Sequence, residues 1–228
     1  MHYDQKGWID QYVSHGAYWF HDGNPNRPHV RMRAGQHSNG FFNSRLVISD
    51  GPLITKAAED LVEKLMMTYD IGNIDVVVGP QTGATKLAEK IANRIGFLRN
   101  RPCRFASPQK TEIDGKPGAM VFNDPQHKIR QGDMAIMCED VGTTFGSVER
   151  AATATKEAGG IIAAHVLVLV NRSEPNVVNG RRIIALIHTP MSAWDPDNGE
   201  CELCQIGSPL ITEVKKEWDK LTAEYQPT

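Results

Sequence analysis

The spacing of apolar positions changes several times along the chain, and each change marks an element. Gln5 to Ser14 reads as a short helix in an N-terminal part that looks like an appendage. Val30-Arg31-Met32-Arg33 alternates apolar and basic residues, as an exposed strand does. Gly35 to Gly40 reads as a turn, and Phe41 to Ile48 as the returning strand. Leu53, Ala57, Leu61 and Leu65 then recur every fourth residue after Pro52, which predicts a helix to about Tyr69 with one buried face. From Ile74 the period shortens. Asp75-Val76-Val77-Val78-Gly79-Pro80 is a β-branched run closed by Gly-Pro, the pattern of a buried strand. Gly83 to Ile95 is helical with Gly96 as its expected cap. Cys103 to Ala106, Ala119 to Phe122, Asp133 to Cys138, Ile161 to Val170 and Arg182 to His188 read as strands, and Ser147 to Ala158 as a helix ending at Gly159-Gly160. The polar stretch Ser107 to Gly118 reads as a long mobile loop. Buried strands alternating with helices predict an α/β fold with a central, mostly parallel sheet flanked by helices.

Composition narrows the partners. The chain has 228 residues, 25 Lys+Arg against 27 Asp+Glu, and a formal net charge of -2. That balance argues against a surface that binds nucleic acid, while leaving room for a pocket that binds an anion. The opening residues MHYDQKGWIDQY hold no apolar core, so no signal peptide is expected. The longest apolar run, Ile161 to Val170, is about half of what a membrane helix needs. With four cysteines, two of them inside apolar runs, a reducing cytoplasmic setting is expected. No repeat or linker composition divides the chain. A single domain is expected, with a small N-terminal hood over 1–50, a core over 51–190 and a C-terminal tail over 191–228 that packs on core or hood.

The strongest chemical signal is Cys138-Glu139-Asp140-Val141-Gly142-Thr143-Thr144-Phe145-Gly146-Ser147. A buried strand ends there in adjacent acids, then a loop rich in Gly and hydroxyls leads into a helix. Unpaired N–H groups of the loop and first helical turn cradle an anion. The hydroxyls of Thr143, Thr144 and Ser147 add donors. Glu139 and Asp140 suit the hydroxyls of a sugar, or a metal held through water. A ribose 5-phosphate meets both demands. The same pieces also make an ordinary N-capped helix after a strand, and the spacing is not that of a P-loop.

This segment resembles the phosphoribosyl pyrophosphate motif of type I phosphoribosyltransferases, and further motifs follow in the order of the orotate branch of that family. Arg33-Ala34-Gly35-Gln36-His37-Ser38-Asn39-Gly40-Phe41-Phe42-Asn43 resembles its N-terminal strand pair. Val78 to Ala84 resembles its pyrophosphate loop, Leu169 to Arg172 a strand ending in an Asp-Arg pair, and Asp197 to Leu210 a C-terminal tail found in one branch. The resemblance spans roughly residues 30 to 210. It implies transfer of the phosphoribosyl group to orotate in pyrimidine nucleotide synthesis, with Mg²⁺ held through pyrophosphate and water near Glu139 and Asp140 and no direct protein ligand. It implies that Arg33, Gln81, Thr82, Gly83, Lys110 and the segment Glu139, Asp140, Val141, Gly142, Thr143, Thr144, Phe145, Gly146 and Ser147 bind the donor. Phe41, Phe42, Thr143 and Arg172 would bind the base, and alternation along a strand leaves one of the two rings facing it. Lys110 and Asp140 would take the catalytic parts, and the loop carrying Lys110 would close over a neighbouring subunit's site in a homodimer.

Several features depart from the family pattern. Phe145 stands where a small residue is usual, the pyrophosphate loop Gln81-Thr82-Gly83 has no lysine, the loop Ser107 to Gly118 is sparser in basic residues, and Asn171 replaces an aspartate. The alternatives are a phosphoribosyltransferase for another base, or a non-catalytic nucleotide-sensing regulator of the same fold. Lys116 reads as a solvated loop lysine, His165 as a core histidine, and Trp194 and Trp218 as packing residues. Cys201-x-x-Cys204 invites zinc, which needs four ligands in a structural site. Cys103 and Cys138 sit in predicted strands and do not offer the missing pair.

Overall fold

The computed structural model describes residues 2–32, 35–113, 116–195 and 198–223. Arg33 lies outside the described residues, as do Asp197 and the side chain of Lys116. The chain opens with helix α1 (Gln5–Ser14) and four short strands: β1 (Tyr18–Phe20), β2 (His29–Arg31), β3 (His37–Ser38) and β4 (Gly40–Phe42). Helices α2 (Ser44–Ser49) and α3 (Gly51–Met66) follow, then β5 (Val76–Val78), α4 (Thr85–Leu98) and β6 (Arg104–Ala106). Next come β7 (Gln109–Ile113), β8 (Lys116–Val121), β9 (Met134–Gly142), α5 (Gly146–Glu157) and β10 (Ile161–Asn171). The chain continues through β11 (Val177–Val178), β12 (Arg181–His188), β13 (Ala193–Trp194), α6 (Glu202–Gln205), β14 (Leu210–Ile211) and α7 (Trp218–Thr222).

The main sheet has the order β11-β12-β10-β9-β5-β6, parallel except for the edge strand β11. Period-two alternation sends its side chains to two separate cores. Val77, Ile136, Cys138, Leu167 and Leu169 face α1, α3 and α4, while Val76, Val78, Ala135, Met137, Val166 and Val168 face α5. The crossover after β5 leads to β6 on one side, and the crossover after β9 leads to β10 on the other. The loops leaving β5 and β9 therefore diverge. A cleft opens at the carboxyl ends of these neighbouring strands, where ligands bind in open α/β sheets.

A second sheet, β13-β3-β2-β14, forms the hood. Its strands come from both early and late segments, with β14 running parallel to β2. Trp19, Val30, Ile211, Val214, Trp218 and Leu221 make its small core. Trp218 also donates its indole N–H to the Gly16 carbonyl at 2.8 Å. Trp218 thus packs as expected, and Trp194 is half-buried in β13.

Several sequence expectations need correction. The N-terminal helix is no appendage, since Trp8 and Tyr12 are fully buried in the main core and the Trp8 indole donates to buried Asp60. The strand expected over Phe41 to Ile48 stops at Phe42. Ser44 begins α2, anchored by a 2.8 Å hydrogen bond between its hydroxyl and that of Tyr12. Asp50 then caps α3 by accepting from the Leu53 N–H. Gly96 lies inside α4, and the left-handed residue beyond that helix is Asn100 (φ 49°), a type that tolerates this conformation. Ser107 to Gly118 is not an irregular loop. Most of it belongs to the antiparallel hairpin β7–β8, whose Thr111 hydroxyl donates to the Ala119 carbonyl. Polar residues on both faces conceal its period.

Candidate active site

The cleft predicted by the topology is a cavity of about 1010 Å³. Its walls include Gln81, Thr82 and Gly83 after β5, Gln109 and Lys110 of β7, Glu139 and Asp140 of β9, Val141 and Ser147, and Phe41 and Phe42 of the hood. Residues more than a hundred positions apart therefore meet in one cavity.

The β5 loop is held from below. The Ser107 hydroxyl donates to the Gly79 carbonyl at 2.7 Å, and Gln81 N–H donates to the Pro108 carbonyl at 3.1 Å. This also fixes the base of the β7–β8 hairpin against the loop. Gly83 permits a close approach to the acid. A Cβ there would lie 2.8 Å from Asp140 Oδ2, so the glycine lets the loop approach the acid.

The two acids differ. Glu139 is buried, and burial first, then the charge of Asp140, drive its carboxyl well above the usual range. The positive charge of Lys110 acts in the opposite direction. Burial thus favours the protonated form of Glu139, while the Asp140 carboxylate accepts the Val141 N–H at 2.9 Å. A protonated Glu139 can donate as well as accept, and Asp140 only accepts when ionised.

After Gly142 the chain turns into α5. Phe145, the residue before this helix, is left-handed (φ 56°) and supplies no side-chain cap. Its ring is 5% exposed and packs against Gly142 in the core beneath α5, where a Cβ on Gly142 would lie 2.1 Å from Phe145 Cζ. The bulky residue is accommodated by the glycine, and only its main chain can serve a ligand. Thr143 is half-buried and Thr144 exposed, with the Thr144 hydroxyl 3.5 Å from Gly146 N. Gly142, Thr143, Thr144, Phe145 and Gly146 stand outside the cavity wall proper, and Val141 and Ser147 on it. The helix N-terminus nonetheless points at the cleft without a capping side chain, which suits an anion.

On the opposite wall, Phe41 packs 5.7 Å from Trp218, and Phe42 packs against Tyr12 and Tyr18. Both contribute to the lining, where alternation predicted only one, because strand β4 ends at the wall. Arg172 is displaced from its expected place. It does not line the cavity but lies buried under the hood, donating to the Ser38 hydroxyl at 2.6 Å and contacting Met32 Sδ at 3.5 Å. Among the described residues its Nε has no partner, and burial lowers its pKa to about 10. Asn171 beside it organises the following turn, accepting from Ser173 N–H and donating to the Pro175 carbonyl. His165 lies against Tyr69 on the main sheet, as a core histidine does.

Sequence reasoning missed Arg45 and Lys215, which line the same cavity. With Lys110 they bring three exposed cations to a wall whose floor is acidic. Arg45 follows the aromatic pair by three positions, a usable signal. Lys215 comes from the tail, and no local pattern announces it.

The family model of the phosphoribosyl transferase domain matches residues 45–195. The chain belongs to this family. An orotate phosphoribosyltransferase of Heliobacterium modesticaldum is 30% identical over 183 residues, covering 80% of this chain and 87% of the relative. One from Caldicellulosiruptor saccharolyticus is also 30% identical, over 80% of this chain and 86% of its own length. The fold is that of the orotate phosphoribosyltransferase from Aeropyrum pernix, with a TM-score of 0.57 and 19% identity over 78% of this chain and 92% of that one. An adenine phosphoribosyltransferase from Thermoanaerobacter pseudethanolicus shares it too, with a TM-score of 0.51 and 17% identity over 65% of this chain and 88% of that one. Fold alone therefore leaves the base open. Among the described residues no helix is long and apolar enough to cross a membrane.

Proposed function

We propose that the chain transfers the 5-phosphoribosyl group from phosphoribosyl pyrophosphate to orotate, yielding orotidine 5-phosphate and pyrophosphate. The convergence of an acid pair, an uncapped helix N-terminus, three cations and an aromatic wall on one cavity carries this reading. The curated relatives supply the choice of orotate.

The residues divide the work by charge. The N-terminus of α5, with the hydroxyls of Thr143, Thr144 and Ser147, receives the 5-phosphate. Asp140 and Glu139 hold the ribose hydroxyls. Lys110, Arg45 and Lys215 answer the charge that develops on departing pyrophosphate, which is greatest in the transition state. Arg33 is proposed to join them. The oxygen-rich set of Asp140, Glu139 and pyrophosphate suits Mg²⁺ held largely through water. When bound, the ion neutralises pyrophosphate charge. Orotate itself is the nucleophile, so no side chain need form a covalent bond. The Arg172 guanidinium lies outside the cavity wall with Ser38 as its partner, so its proposed role as counter-charge for the orotate carboxylate requires the side chain to turn from Ser38 toward the ligand. Phe41 and Phe42 would flank the ring.

Lys110 lies in the cavity wall of its own chain. A homodimer, in which the segment carrying Lys110 closes over the neighbouring subunit's site, remains part of the proposal, as does a cytoplasmic setting. Purified protein mixed with the donor, Mg²⁺ and orotate should deplete orotate absorbance. No depletion at any Mg²⁺ concentration, together with turnover of another base in a purine and pyrimidine panel, would replace orotate with that base. Retention on nucleic acid at low salt without turnover of any base would instead support the regulator.

A further inference from the structure

Away from the cleft, four metal-binding side chains meet under the hood. His29 of β2, His37 of β3, Cys201 and Cys204 bring one ligand atom each to within 4.8 Å of all the others. Three of them are buried, and Cys204 is exposed. His29 Nε2 lies 3.3 Å from His37 Nδ1, 3.4 Å from Cys204 Sγ and 3.7 Å from Cys201 Sγ, and His37 Nδ1 lies 3.2 Å from Cys204 Sγ. A tetrahedral zinc ion, with bonds of about 2.3 Å to sulfur and about 2.0–2.1 Å to nitrogen, spaces its ligand atoms roughly 3.3–3.8 Å apart. The four atoms already stand near the corners of such a tetrahedron.

Ordinary hydrogen bonding does not account for the cluster. The Ser208 hydroxyl donates to the Arg27 carbonyl at 2.7 Å. Its 2.9 Å contact with His29 Nδ1 must therefore carry the histidine's proton. That fixes the tautomer, and leaves His29 Nε2 as a lone pair aimed at the other three atoms. One lone pair cannot accept well from three neighbours at once, but it can bind one cation. A ligating histidine whose second nitrogen is held by a hydrogen-bond partner is the usual arrangement in metal sites.

We propose that His29, His37, Cys201 and Cys204 bind a structural zinc ion. Two thiolates and two neutral imidazoles cancel its charge, which suits a site mostly removed from water. Four protein ligands leave no open position, so the ion has no part in the reaction. Its effect is to staple the tail to the hood. The ligands come from strands β2 and β3 and from the turn carrying α6, which leads into the short strand β14 paired with β2. The stapled tail then presents Lys215 to the cavity and Trp218 to Phe41. The proposal is independent of which base the enzyme accepts.

Metal analysis of the full chain, purified without chelator from zinc-replete cells, should find about one zinc per chain. Cobalt substitution should give the visible bands of a tetrahedral site with thiolate ligands. Cys201→Ser combined with Cys204→Ser should abolish both signals, and Cys103→Ser should keep them. If the double variant does not fold, chelated wild-type protein supplies the second measurement: added zinc should protect two thiols from a thiol reagent and restore resistance of the tail to proteolysis. Metal-free protein that takes up no zinc and keeps a fully protected tail would overturn the proposal. So would a disulfide between Cys201 and Cys204 in freshly isolated protein, or full zinc retention in the double variant.

Discussion

The main sheet and the hood solve the same problem in opposite ways. The middle of the main sheet is built on the long strands β9, β10 and β12, as in β10, where six consecutive residues from Val166 to Asn171 are buried, five of them apolar. The hood is built from strands of two or three residues, and much of what it buries is polar: His21, His29, His37, Ser38 and Ser208. In the first, burial of apolar area supplies the stability and tolerates little loss of volume. In the second, few residues are apolar, and directional contacts do the joining. The active-site cavity lies between them, with its acids on the rigid sheet and its aromatic wall on the hood.

That contrast can be broken experimentally. The largest expected effect is in the main sheet. Leu167→Ala should cost about 2–5 kcal/mol, because Leu167 is fully buried between two parallel strands, and urea unfolding would measure it. A smaller loss would mean that the core relaxes around the cavity. At the boundary, Lys110→Ala should lower kcat on the order of a hundredfold with little change in melting temperature, since the side chain is exposed. Under the hood, Arg172→Ala should raise KM for orotate about tenfold or more and leave donor affinity intact, the loss expected for a charged hydrogen bond. Equal effects on both substrates would show that it merely supports the hood.

A pH experiment sharpens the comparison for the acids. Glu139 has its carboxyl raised by burial, so the folded state keeps a proton that the unfolded state releases above about pH 4.3. Stability therefore falls as pH rises through that window, since the folded state binds more protons there. Glu139→Gln should remove this slope and raise Tm near neutral pH by a few degrees, on the scale of ~1 kcal/mol, while lowering activity. Below about pH 4 the variant and parent should converge. The smallest effect belongs to the hood. Trp218→Phe removes the hydrogen bond to Gly16 but keeps most of the packing, and should cost about 1 kcal/mol.

The contrast also explains what could be read in advance. The β-branched run Val76 to Val78 and the apolar run from Ile161 are local signals of buried parallel strands, and both lie where expected. The acid pair and the phosphate loop are contiguous, so their strand-loop-helix setting was visible too. The hood was not. Its β2–β14 pairing joins distant segments through strands too short to show a period. Arg172 stands two residues beyond the strand expected to end at Val170, but only the fold shows that it bonds Ser38 under the hood. Cys201 and Cys204 advertised a metal by their spacing. The missing ligands were sought among cysteines, whereas His29 and His37 lie over 160 residues earlier.

The late arrival of β14 sets an order on synthesis. His29 and Ser208 are 179 positions apart, so the edge of β2 that β14 covers is made long before its partner. While the chain is still being translated, the parallel sheet can form from contiguous β-α units, but β2 waits with an unpaired edge. A translation arrest anywhere between the end of β12 and β14 would release a protein with a finished parallel sheet and an unfinished hood, its cavity lacking Lys215 and its β2 edge open to pairing with another chain.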